Sequence, residues 1–79
     1  MSGAGRVVDV VGGTVPNTNQ AARRVLVDRD DGQRLLFYVP KGNDPPVGAA
    51  ISWGPRHAWW ADQRVRKLSW EIDPDQELR

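Results

Sequence analysis

The chain has no cysteine among its 79 residues, so neither a disulfide nor a thiolate metal site can hold it together. It has one histidine, His57, and its acidic residues form no ligand-spaced cluster around it, which points to a turn or surface position rather than a metal centre. Long apolar runs are missing: none approaches the roughly 20 residues needed to span a bilayer as a helix. The N-terminal Met-Ser-Gly-Ala-Gly has no charged segment followed by an apolar one, unlike a secretory leader. These absences predict a cytoplasmic setting. Charge of one sign is lacking too. Eleven Lys and Arg against ten Asp and Glu leave a net +1, so no global field draws the chain to phosphate backbones or anionic lipid. Polyanion binding would have to come from local clusters.

What the chain does have is turn punctuation and tryptophan. At this size a domain buries only about 60% of its unfolded surface, and four Trp supply much of the apolar area available for that. Residues 6–11 are rich in Val and predict a first strand, with a bend or bulge at Gly12-Gly13. A loop follows over 14–19. Residues 23–39 predict a hairpin, because Val25 and Val27 alternate with polar neighbours before Asp30-Asp31-Gly32, as Leu35, Phe37 and Val39 do after it.

The hairpin's register can be argued. A three-residue loop with Gly32 in the left-handed conformation sets Val27 opposite Leu35, Val25 opposite Phe37 and Asp28 opposite Arg34. A two-residue turn would push Asp28 onto the apolar face, which a half-buried sheet disfavours. Pro40 ends the second arm, residues 41–46 are too rich in breakers for anything but an exposed loop, and Gly48 allows re-entry. Strands are expected at 49–53 and 58–61, separated by Gly54-Pro55. From 65 to 73, Leu68, Trp70 and Ile72 alternate with Lys67, Ser69 and Glu71, which predicts a sixth strand with the two sets on opposite sides. Residues 74–79 read as a polar tail, frayed or turned into one helical turn.

These elements predict one all-β domain over 1–79, a small OB-like antiparallel barrel of about five to six short strands. Its core is expected to join Val25, Val27, Leu35, Phe37 and Val39 with Ile51 and Trp53.

No catalytic constellation accompanies the fold. There is no Gly-x-x-x-x-Gly-Lys-Ser/Thr loop to cradle phosphates, and none of Ser2, Ser52 and Ser69 lies in a Gly-x-Ser-x-Gly turn. Asp28, Asp30 and Asp31 serve the hairpin and lack the later glutamate of a calcium loop. The expectation is a non-enzyme with no catalytic residue, cofactor or metal. Neighbours on a strand face opposite ways, so only one of Trp59 and Trp60 can enter a one-sided core. Trp60, Trp70, Arg64 and Arg66 are the candidate interface residues. An exposed aromatic with Arg23-Arg24 and Arg64-Val65-Arg66-Lys67 would also suit single-stranded nucleic acid, with bases stacked on rings and cations along the phosphates.

Residues 5–11, the hairpin 25–39 around Asp31-Gly32, Pro40, Gly48, Ile51-Ser52-Trp53, Pro55 and Ala58-Trp59-Trp60 together resemble the TOBE domain, the transport-associated OB module of bacterial ABC-importer ATPase subunits. The resemblance covers roughly 5–62, leaving 63–73 as an extra strand and 74–79 as the tail. It implies a non-catalytic accessory domain that contacts a nucleotide-binding domain or a second copy of itself, with ATP hydrolysis elsewhere and membrane association only indirect. The alternatives are a single-strand-binding OB module and a free-standing interaction protein that blocks a partner by surface contact.

Overall fold

Alternation of apolar and polar side chains decides the middle of the fold. In the computed structural model, which describes residues 2–77, β2 (Ala21–Arg29) and β3 (Arg34–Pro40) pair antiparallel. Val25 stands opposite Phe37, Val27 opposite Leu35 and Asp28 opposite Arg34. The Arg29 N–H donates to the Gln33 carbonyl at 2.7 Å, which closes the loop Asp30-Asp31-Gly32, and Gly32 has φ +90°. This is the register that keeps the carboxylate off the apolar face. Arg34 Nε donates to Asp28 at 2.7 Å, and that hydrogen bond, reinforced by the carboxylate's charge, raises the Arg34 pKa above its ordinary value. The pair is exposed and adds little to stability.

β1 (Gly3–Thr14) lies on the other edge of β2 and corrects one expectation. The strand runs straight through Gly12 and Gly13, which pair with Arg23 and Ala22, and the bulge falls at Val8, between the pairs Val7–Val27 and Asp9–Leu26. Strict alternation from Val7 would have driven Asp9 into the core. One extra residue shifts the phase, so Val7 is buried and Val10 packs on the core while Asp9 is exposed. Near its start β1 crosses β2 so closely that a Cβ at Gly5 would collide with the Asp28 carbonyl.

β4 (Ala50–Trp53), β5 (His57–Trp60) and β6 (Gln63–Arg66) form a second meander on the far side of β1, giving the order β3-β2-β1-β4-β5-β6. Three hairpin-linked strands followed by a fourth that returns beside the first make a Greek key, the connectivity of partly open OB-type barrels. The chain is thus all-β and OB-like, with a sheet that curls without closing into a ladder. Val25, Val27, Leu35, Phe37, Val39, Ile51 and Trp53 share the interior, as expected, with Val7, Ala58, Trp60 and Val65 added. Phe37 and Trp53 meet with ring centroids 5.8 Å apart.

The segment after β6 departs most from expectation. Instead of a strand over 65–73, β6 ends at Arg66 and residues 67–72 bend across β3. The Leu68 N–H donates to the Tyr38 carbonyl at 2.8 Å, and Leu36 and Ile72 exchange backbone bonds of 2.9 and 2.8 Å. Ser69 Oγ accepts from the Tyr38 N–H at 3.1 Å. Lys67 is 6% exposed; its Nζ sits 5.5 Å from the Phe37 ring centre and 2.6 Å from Glu71 Oε2. The unclosed seam between β3 and β6 has to be filled, and the long aliphatic stem of Lys67 fills it while its head finds a carboxylate. Leu68 and Ile72 pack on a second apolar cluster, Val15, Ala22, Leu36 and Tyr38. One helical turn, α1 (Pro74–Glu77), follows, and Leu78 and Arg79 of the predicted tail lie outside the described residues.

Two predictions follow from the packing. Phe37→Ala removes the aromatic shared by the core and the Lys67 stem and should cost about 3–5 kcal/mol in urea denaturation; a loss below about 1 kcal/mol would contradict this core. Glu71→Ala strands a buried ammonium and should cost about 3 kcal/mol, whereas the double change Lys67→Met, Glu71→Leu should stay within about 1 kcal/mol of the parent. Equal losses in both variants would show that the pair's charge is not what matters there.

Candidate functional site

The turn after β4 decides which tryptophan faces out. The Gly54 N–H donates to the His57 carbonyl at 2.8 Å across Pro55-Arg56, so Trp53 stands opposite Ala58 and Ser52 opposite Trp59. Directly paired residues share a face, and because Trp53 points inward, Ala58 and Trp60 do as well. Trp60, expected among the contact residues, is therefore 5% exposed core, and Trp59 is the outward one at 41%. The register rule that resolved the central hairpin would have identified Trp59 had it been applied to Gly54-Pro55.

β5 and β6 are joined by Ala61-Asp62, both with positive φ, at 49° and 63°. This is the backbone of a tight primed turn, in which Asn-Gly is the favoured pair and alanine is strained. The turn pairs Trp59 with Arg64 and His57 with Arg66. His57, Trp59, Arg64 and Arg66 consequently share the outer face, opposite buried Ala58, Trp60 and Val65. Arg64 and Arg66 are exposed there, where the sequence reading put them. The His57 and Trp59 ring centres are 6.2 Å apart. The benzo edge of Trp59 overlies Gly54, where a Cβ would meet its Cη2 and Cζ3 at 3.4 and 3.5 Å.

Beside this face a groove of about 840 Å³ opens between the β1–β2 loop, the Pro55-Arg56 turn and residues 66–72. Its basic lining is Arg56, His57, Arg66 and Lys67, Trp70 stands on its wall, and among the described residues no carboxylate lines it. Lys67 is already met by Glu71, but among the described residues no ion pair or hydrogen bond engages the side chains of Arg56, Arg64 or Arg66. Trp70 is 71% exposed. On the other side of Trp59 lies a depression of about 420 Å³ that includes Arg6, Ala50 and Ser52. Arg23, one of the two arginines of the Arg23-Arg24 pair considered from sequence, is held by Asp44 at 3.1 Å.

The outer face of β2 and β3, where OB domains commonly read ligands, is covered by the chain itself. Leu36 and Tyr38 are buried there beneath Leu68 and Ile72. Among the described residues no three His, Cys, Asp or Glu side chains converge as a metal site, and no helix is long and apolar enough to cross a membrane. The strip Trp70–Arg66–His57–Trp59–Arg64 offers ring faces for stacking and guanidinium forks for anions. No protein-family model, curated protein or solved structure matches this chain.

The strained turn gives a test of how the face is held. Replacing Ala61-Asp62 by Asn-Gly should raise stability by about 1 kcal/mol in thermal melts while leaving the Trp59–Arg64 pairing intact. A destabilised variant would contradict the turn assignment.

Proposed function

We propose that this chain is a non-catalytic OB-type binding module that works by contact through the outer face of β5 and β6. One observation carries the reading: Trp59, Arg64 and Arg66 project from one face with Trp70 beside them, and Trp and Arg are the residue types that concentrate binding energy at contact surfaces. The resemblance to TOBE domains supports an accessory role in the cytoplasm, in which the face docks on the nucleotide-binding domain of an ABC-importer ATPase or on a second copy and leaves the chemistry to the ATPase. The groove, lined by no carboxylate among the described residues, supports a different occupant, an anionic strand.

Site-specific photo-crosslinking in cells that make the protein tests the face itself. A photoreactive residue at position 59 or 64 should give a discrete adduct, and one at position 31, at the tip of the β2–β3 hairpin, should give none. Adducts from position 31 alone would overturn the assignment.

A further inference from the structure

We propose that the strip from Trp70 across Arg66 and His57 to Trp59 is a binding site for single-stranded nucleic acid; this rests on the reading of the β5–β6 face as the working surface. The resemblance points to a protein occupant, but the side chains point to a polyanion with flat, unpaired rings. Among the described residues the groove below Trp70 is lined by Arg56, His57 and Arg66 and by no carboxylate, the nearby Glu71 being engaged by Lys67, so its lining favours a phosphate. Among the described residues the side chains of Arg56 in the groove and of Arg64 and Arg66 in the strip have no ion-pair or hydrogen-bond partner to give up, so phosphate contact breaks no ion pair there.

Aromatic surface is available at both ends of this cationic stretch, with Trp70 71% and Trp59 41% exposed. Stacking on such rings requires bases that are not already stacked in a duplex, which selects a single strand. Beyond Trp59 the surface carries the small residues Ser52, Ala50 and Ala4 with Arg6 and Asp30 alongside, so a chain can continue over β4 and β1 without a steric wall, past one cation and one carboxylate. With the outer face of β2 and β3 covered by residues 67–72, the strand is displaced onto β5 and β6.

Phosphate contact by three arginines on a single strand predicts a log–log salt slope near −2, since each contact contributes about −0.7. The purified full chain is titrated with oligo(dT) of about 12 nucleotides at low salt, with Trp emission as readout. The expected result is saturable quenching at micromolar concentrations with that slope. Arg64→Ser with Arg66→Ser should weaken binding at least tenfold and shrink the slope to about −0.7, and Trp70→Ala should weaken it roughly five- to hundredfold. A duplex of equal length should bind more weakly. Thermal melts within a few degrees of the parent establish that the variants are folded.

Absence of saturable quenching at low salt, a double variant that binds like the parent, or equal affinity for the duplex would each overturn the proposal. The position-59 adduct separates this failure from failure of the underlying reading. An adduct sensitive to nuclease supports the proposal. One sensitive only to protease removes nucleic acid as the occupant but keeps the face, and no adduct at 59 or 64 removes both.

Discussion

Everything in this barrel depends on what fills the gap between β3 and β6. Six strands curl into a barrel-like sheet, yet the two edge strands are joined by no ladder; an open seam there would expose both the Phe37 ring and the edge of β3. Residues 67–72 solve both problems. Their backbone bonds both groups of Leu36 and the Tyr38 carbonyl, the Ser69 hydroxyl accepts from the Tyr38 N–H, and Lys67 inserts at Phe37 with its ammonium on Glu71. Burying an ion pair is costly in desolvation, and replacing it by apolar side chains is often no worse. Its role here follows from shape: a long stem reaches the seam while the charged end keeps a partner.

The same segment organises the candidate face. The Lys67 N–H donates to the Arg56 carbonyl at 2.8 Å, tying the end of β6 to the turn that carries Arg56 and leads into His57. Trp70 is held at the groove because its neighbours on either side are anchored, Ser69 and Leu68 on Tyr38 and Ile72 on Leu36. By lying over β2 and β3, the segment also hides Leu36 and Tyr38, so the exposed aromatic surface moves to β5 and β6. Filling the seam and placing the candidate face are one structural event.

Much of this was legible in the sequence, for identifiable reasons. Around Asp30-Asp31-Gly32, turn chemistry and the burial pattern agree on one register, so the pairing of Val25 with Phe37 and the buried face with Ile51 and Trp53 follow from local information. The bulge at Val8 did not, because the glycines at 12 and 13 give the stronger local signal and only the need to keep Asp9 out of the core favours the earlier position. Residues 65–73 alternate as a strand would, but the alternation cannot say that Lys67 belongs inside, since that depends on an unfilled seam formed by residues some thirty positions earlier, where Tyr38 meets Ser69. Arg64, Arg66 and Trp70 were legible as exposed residues. Trp59 in place of Trp60 required a turn register.

The central claim, that residues 67–72 are an integral wall of the barrel rather than a tail laid against it, is tested most directly by native-state amide hydrogen exchange. The Leu36, Leu68 and Ile72 amides donate the backbone–backbone bonds that join this segment to β3. If the segment is a wall, all three should exchange only through global unfolding, with the same free energy and denaturant dependence as the Val25 and Phe37 amides of the central hairpin. Exchange of Leu68 and Ile72 at rates close to those of an unstructured chain, while Val25 and Phe37 stay protected, would contradict the account.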